Sequence, residues 1–424
     1  MNINYDLGRY KYDMEKCIGC KGCVWVDHIY MPNVRFGIKC PSNIYDPFDA
    51  YAAMGRCKIG LGMLEGRIDY SDSLLDVIYK CNLCGACDIG CKRNLDLEPL
   101  AALESMRAKC VADGAGPLPA HRKVAQDIMK TGNRFGAPSK DRLTWLPEGA
   151  TSSGADIAYF PGCAASHIDK NIAKATVEIL RVSGQRFTTL GEEDRCCGHP
   201  LIDMGMIDKA RTVAEANIKA LKKTGAKILL TTCAEGYKTW KVDYPKLLGR
   251  STEDMDYTVV HLSEFVNDLL EKGQMKFDKE VKMKVAWHDP CHLGRLSEPW
   301  IHWEGNRGRY GILDQPKIYR RGTHGVYQAP RNILKQIPGL EVVEMPRTRE
   351  NTLCCGAGGG VREAFEDYAR FIGAERVKEA ISISVEAIVS GCPYCKENFK
   401  RVPDSRAKDI KAYDLSELIL MGLE

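Results

Sequence analysis

No stretch of this chain approaches the roughly 20 apolar residues a membrane-crossing helix requires, so any bilayer contact has to come through a partner. No N-terminal apolar segment suggests export. Neither a Rossmann glycine fingerprint nor a Walker sequence appears, which assigns any flavin or nucleotide to another subunit. A basic stripe interleaved with aromatics is also missing, and a net charge of +4 over 424 residues says little, so nucleic acid is not indicated. What the chain does have is ordinary globular composition, 44% hydrophobic and 27% charged, together with 19 cysteines. A chain this long needs no stapling, so these cysteines do not read as the disulfide framework of a small secreted domain. The expected compartment is a reducing cytoplasm.

The cysteines are patterned. At this frequency roughly one adjacent Cys-Cys pair arises by accident, whereas a Cys-x2-Cys-x2-Cys run is expected only about 0.04 times. Two such runs are present, Cys17-Ile-Gly-Cys20-Lys-Gly-Cys23 and Cys81-Asn-Leu-Cys84-Gly-Ala-Cys87, the second followed by Cys91. Three thiolates two residues apart let a tight loop wrap three corners of a cubane, with Gly19, Gly22 and Gly85 permitting close backbone approach. In two-cluster ferredoxins the fourth cysteine of a run serves the other cluster, which assigns Cys91 to the cluster of Cys17, Cys20 and Cys23. The second cluster, on Cys81, Cys84 and Cys87, needs a distant ligand. Cys40, followed by Pro41, is the first candidate and Cys57 the rival, although the helix formers around Cys57 favour a half-buried thiol. Cys110 has no frame mate and reads as structural. Zinc is the alternative ion for Cys-x2-Cys runs, but three cysteines at this spacing suit a cubane better than a tetrahedron. Helical patterns between the runs, such as Ser73–Tyr79, predict an α-helical ferredoxin module over residues 1–112.

Residues 113–154 are rich in Gly, Pro, Ser and charge and read as a linker with one short helix near Arg122–Lys130. From Ala155 short β-rich runs alternate with helices. The runs 156–160, 227–232, 284–288 and 386–390 each end within three residues of a cysteine group. Helical candidates follow at 168–183, 207–224, 329–337 and 361–380. This alternation predicts parallel sheets in two α/β halves, 155–280 and 281–424, related by a pseudo-twofold. Each half repeats one order: a single cysteine (Cys163; Cys291), a Cys-Cys-Gly triplet (Cys196-Cys197; Cys354-Cys355), then a last group (Cys233; Cys392 and Cys395). In open α/β sheets ligands bind outside the carboxyl ends of strands, where every one of these cysteines is expected. Gly356–Gly360 opens a helix and offers bare amides to sulfide or thiolate charge, with phosphate as the competing ligand.

The motifs Phe160-Pro-Gly-Cys163, Cys196-Cys-Gly-His-Pro200, His288-Asp-Pro-Cys-His-Leu-Gly-Arg295, Gly325-Val-Tyr-Gln-Ala-Pro-Arg331, Cys354-Cys-Gly-Ala-Gly-Gly-Gly360 and Cys392-Pro-Tyr-Cys395 carry a resemblance. The whole chain resembles the Cys-Cys-Gly (CCG) domain family of iron–sulfur proteins, in particular ferredoxin-fused forms of the heterodisulfide reductase catalytic subunit. In that family each complete five-cysteine frame binds a noncubane four-iron cluster between the two halves. The resemblance implies one noncubane cluster on Cys291, Cys354, Cys355, Cys392 and Cys395, beside two ferredoxin cubanes. The first frame has Cys163, Cys196, Cys197 and Cys233, but its last position is Gly236. Four thiolates there either hold a further cubane or hold nothing, and the loss puts disulfide cleavage in doubt.

A second departure is spacing: 33 residues separate Cys163 from Cys196, and 63 separate Cys291 from Cys354. The surplus near Leu296–Thr323 carries Trp300, Trp303, Arg307, Arg320 and Arg321, which suits a partner surface or a plain capping loop. Insertion and missing cysteine together look most similar to the electron-transfer subunit of tungsten-dependent benzoyl-coenzyme A reductase complexes. His199, His288 and His292 flank the cysteines, as proton shuttles or as hydrogen-bonded strand-end residues. The reading is an iron–sulfur electron-transfer subunit of an anaerobic multi-subunit oxidoreductase, with flavin-containing and other iron–sulfur subunits as partners. The alternative is a heterodisulfide or thiol–disulfide reductase acting at the noncubane cluster.

Overall fold

A computed structural model of the protein describes residues 3–26, 33–402 and 410–423. The strands are short and, where central, buried on both faces, as parallel sheets covered by helices require. Residues Ile157–Tyr159 (β1), Phe187–Thr188 (β2), Ile228–Thr231 (β3) and Thr258–His261 (β4) form one sheet in the order β2-β1-β3-β4. Met283–His288 (β5), Leu340–Val343 (β6), Ala387–Ser390 (β7) and Lys411–Asp414 (β8) form a second in the order β6-β5-β7-β8. All pairings are parallel. The central strands β1, β3, β5 and β7 match the β-rich runs of the sequence. The edge strands β2, β4, β6 and β8 were not expected, because two to four residues are too few to show a period-2 pattern.

Chain order reverses between β1 and β3, and between β5 and β7, which makes the switch point of each open sheet fall where the cysteine loops leave the strands. The two halves lock reciprocally. The last helix of the first half, Leu262–Glu271, packs on Gln328–Gln336, and the last helix of the second, Leu415–Leu423, packs on Lys170–Val182. Lys396 Nζ bridges Asp169 at 2.6 Å and Glu417 at 2.7 Å, and a ring nitrogen of His261 reaches the Gly391 carbonyl at 3.0 Å. One hydrophobic core runs through both halves. The single helix expected over 361–380 is interrupted at Phe365, whose non-helical backbone (φ −140°, ψ 61°) separates Val361–Ala364 from Glu366–Ile381.

The N-terminal part is helical, with its main helices at Ala53–Leu64, Asp72–Tyr79, Ala86–Asn94 and Pro99–Ala112. Ser71 caps the second by accepting from Leu74 N at 3.2 Å, and Pro99 begins the fourth where its missing N–H costs nothing. Residues 113–154 carry the helix Pro119–Thr131 and are tied to both halves. Arg134 contacts Glu235 at 3.2 Å and Glu363 at 2.6 Å, and a ring nitrogen of His121 lies 2.8 Å from the Gly360 carbonyl.

Arg107, fully buried in Pro99–Ala112, joins all three parts. Its guanidinium donates to Ile78 O (3.2 and 3.3 Å), Tyr79 O (3.0 Å) and Cys81 O (2.6 Å) in the N-terminal part. It also reaches Asp203 O and Gly359 O, each at 2.7 Å, in the two α/β halves. Replacing it leaves buried carbonyls without donors, so Arg107→Met should cost about 3 kcal/mol or more. Anaerobic thermal unfolding and limited proteolysis check this, and wild-type behaviour in both would contradict it.

Candidate metal centres

The first cysteine set is assembled by close backbone contact. A loop holds Cys17, Cys20 and Cys23, and the helix Ala86–Asn94 brings Cys91 against it through Gly90. A Cβ at Gly90 would lie 1.8 Å from Gly22 O, so only glycine allows the approach. One cavity is lined by Cys17, Cys20, Cys23 and Cys91, and also by Cys57. Cys57 hydrogen-bonds Cys17, which draws the Cys17 thiol down to about 6. The helical pattern around Cys57 gave no sign of this, since it does not say which sulfur a helix will face.

In the second set Cys87 lies in the field of Cys81 and Cys84, and Cys40 in that of Cys81. Cys40 N-caps the short helix Pro41–Tyr45, and its sulfur is 3.6 Å from Ser42 Oγ. This set abuts the second α/β half. Asn82 Nδ2 donates to Gly356 O at 2.8 Å and Gly358 O at 3.2 Å, and Arg295 Nε donates to Cys84 O at 2.6 Å. Gly359, at φ +72°, would place a Cβ 2.3 Å from Cys81 O. The Cys84 thiol also neighbours Cys354, and that neighbour outweighs burial and, with Arg295, lowers Cys84 to about 6.

The second frame converges at the carboxyl ends of β5, β6 and β7. Cys354 neighbours Cys291 and Cys355, Cys355 neighbours Cys395, and Cys395 neighbours Cys392. All five are buried. Gly356 N donates to Cys354 Sγ at 3.4 Å, and Asn398 Nδ2 holds the Cys355 carbonyl at 2.6 Å. His288 stands beside Cys355 and Cys395, and its Nδ1 accepts from Arg376 Nε at 3.2 Å. The neighbouring Cys354 and Cys395 thiols and the His288 ring hold the Cys355 thiol well below its usual range.

The first frame repeats part of this geometry. Gly198 N donates to Cys196 Sγ at 3.4 Å, and Asn217 Nδ2 holds the Cys196 carbonyl at 3.0 Å. Cys163 bonds Cys196, Cys196 bonds Cys197, and Arg142 Nη1 donates to Cys163 Sγ at 3.6 Å. Cys233 instead neighbours Cys392 of the second frame. A Cβ on Gly236 would make only ordinary contacts, with Thr231 Oγ1 at 3.5 Å, Cys233 Cβ at 3.6 Å and Phe160 Cε1 at 3.8 Å, so a side chain fits there. Thiols gathered in threes to fives, buried throughout both Cys-Cys-Gly frames, several drawn towards thiolate and with backbone N–H donors on the Cys196 and Cys354 sulfurs, fit iron–sulfur ligation. All 19 cysteines are free.

Helical ferredoxin-type runs joined to two sheet-borne Cys-Cys-Gly frames define an iron–sulfur redox protein. The CCG model, described as a cysteine-rich domain, matches residues 157–236 and 317–400. The chain is 36% identical over 355 residues to one of the subunits of the dihydromethanophenazine:CoB–CoM heterodisulfide reductase of Methanosarcina mazei, a match covering 82% of this chain and 79% of that one. It is 31% identical to one of the subunits of the fumarate reductase (CoM/CoB) of Methanothermobacter marburgensis (81% and 61%). It is 27% identical to the EtfAB:quinone oxidoreductase of Syntrophomonas wolfei (82% and 47%). The protein belongs to the cysteine-rich CCG family, together with this heterodisulfide reductase polypeptide.

Gly90→Ala should separate Cys91 from the first run. Its ferredoxin-type EPR signal should fall at least about tenfold while the signals of the other centres persist. Retention of all signals would show that the contact with Gly22 is not needed.

Proposed function

We propose that this protein is the iron–sulfur electron-transfer subunit of a multi-subunit redox complex, carrying two cubane clusters and one noncubane cluster. Bound at these cysteines, the clusters supply reversible one-electron chemistry. The single observation that carries the reading is the direct contact of the second ferredoxin-type run with the complete frame, where Asn82 Nδ2 donates to Gly356 O at 2.8 Å and Gly358 O at 3.2 Å.

The residues grade exposure along this path. Cys20 is exposed and Cys17 half-buried at one end, while the five cysteines of the second frame are buried at the other. Exchange with a partner therefore belongs at Cys20. Arg295 and Asn82 hold the second run against the CCG loop, and Arg376 Nε donates to the ring of His288, which stands beside Cys355. The partners are flavin-containing and other iron–sulfur subunits. Among the described residues no helix is long and apolar enough to cross a membrane.

The insertion between Cys291 and Cys354 offers a partner face. It is anchored to the N-terminal part by Lys317–Glu98 at 3.1 Å and Arg321–Asp96 at 3.2 Å, and it exposes Ile312 and Ile318. A reducing cytoplasm agrees with 19 free cysteines.

A second reading, disulfide reduction at the complete frame, draws on the identity to the heterodisulfide reductase polypeptide. The glycine at 236, where the complete frame has Cys395, weighs against a second noncubane cluster beside the first.

Wild-type protein should contain about 12 iron atoms per chain, Cys355→Ser about 8, and Gly236→Cys about 16, at four per cluster. Unchanged iron in Cys355→Ser would remove the noncubane assignment. Offered a heterodisulfide with reduced viologen, the isolated protein should show no sustained turnover. Turnover without partners would replace the carrier reading with the reductase one.

A further inference from the structure

We propose that His199, Glu235 and His292 bind one Zn2+ ion between the two α/β halves, at a site distinct from the cysteine sets and with a fourth position open to an exogenous ligand. The three side chains come from three loops: His199 follows the first Cys-Cys-Gly triplet, Glu235 lies two residues after Cys233, and His292 follows Cys291. One ligand atom of each lies within 4.8 Å of the others, and the residues are 1%, 5% and 4% exposed. Two imidazoles and a carboxylate suit zinc, and three protein ligands leave a fourth position free. Zinc–nitrogen bonds of about 2.0–2.1 Å place tetrahedral donors roughly 3.3 Å apart, so binding draws the set inward by small rotations.

The surroundings support a cation rather than a neutral core. Both ring nitrogens of His199 are buried without a hydrogen-bond partner, as is Asp243 Oδ2. Asp203 Oδ2 lies 3.3 Å from His199 Nε2 and Asp243 Oδ2 lies 3.6 Å from Nδ1. Whichever nitrogen takes the metal, the other has a carboxylate for its proton, the support that metal-bound histidines receive. The two rings meet edge-on with centroids 4.6 Å apart. The cavity walled by Trp300, Trp303 and Lys317 reaches Asp243, whose Oδ2 lies 3.6 Å from His199 Nδ1. The competing arrangement is an imidazolium at His199. Asp203 Oδ2 and Asp243 Oδ2 beside the ring are the groups that would face that charge.

Full-length protein, purified anaerobically with its clusters, is incubated with one equivalent of Zn2+ and desalted. About one zinc per chain should remain. Its zinc-edge X-ray absorption should show nitrogen and oxygen neighbours at about 2.0–2.1 Å and no sulfur at about 2.3 Å. His292→Ala and Glu235→Gln should each lower retained zinc at least about tenfold while iron content and visible circular dichroism stay unchanged. Less than about 0.1 zinc per chain, sulfur neighbours, or full retention in both variants would overturn the site. The wild-type spectrum decides even if a variant fails to fold, and neither result depends on the electron-transfer reading.

Discussion

A guanidinium buried at the centre of the molecule constrains everything around it. Arg107 cannot be left in a low-dielectric interior without dipoles to neutralise it, and the carbonyls that do so come from Ile78, Tyr79 and Cys81, from Asp203 and from Gly359. The helical part and both α/β halves must therefore be in register before the charge is satisfied. Two of those carbonyls belong to cysteine neighbourhoods: Cys81 is in the second ferredoxin-type run and Gly359 follows the Cys354-Cys355 pair. The same interaction that joins the parts aligns the candidate redox centres, and Arg295 and Asn82 extend it at the point of contact.

The two halves share a fold and diverge at one position. Backbone–sulfur contacts at Gly198 and Gly356 are equal, at 3.4 Å, and asparagines hold the carbonyls of Cys196 and Cys355 alike. The difference begins after β3 and β7. Cys392 is followed by Cys395, whereas Cys233 is followed by Gly236 and turns its thiol to Cys392. Sulfur is thus gathered towards one frame, and the interface on the side of the other holds histidines and carboxylates.

Much of this was legible in the chain. The four central strands and the helices around them follow from apolar runs and helical periods, and the ferredoxin-type runs from local spacing. Edge strands such as Phe187–Thr188 were illegible because parallel pairing, not local pattern, makes them strands. The position of Cys57 was illegible because a helix period fixes neighbours along the helix but not the loop that will face its sulfur.

The sequence by itself determined which residues carry sulfur, their order in two repeats and the glycine that breaks the first of them, because these are local and countable. Tertiary structure alone decided that Cys84 meets Cys354, that Cys233 faces Cys392, and that His199, Glu235 and His292 share one buried space. Those contacts join residues up to 270 positions apart (84 to 354). They exist only because Gly90 and Gly359 permit close backbone approach and because Arg107 and the reciprocal helix packing bring three separately encoded parts together.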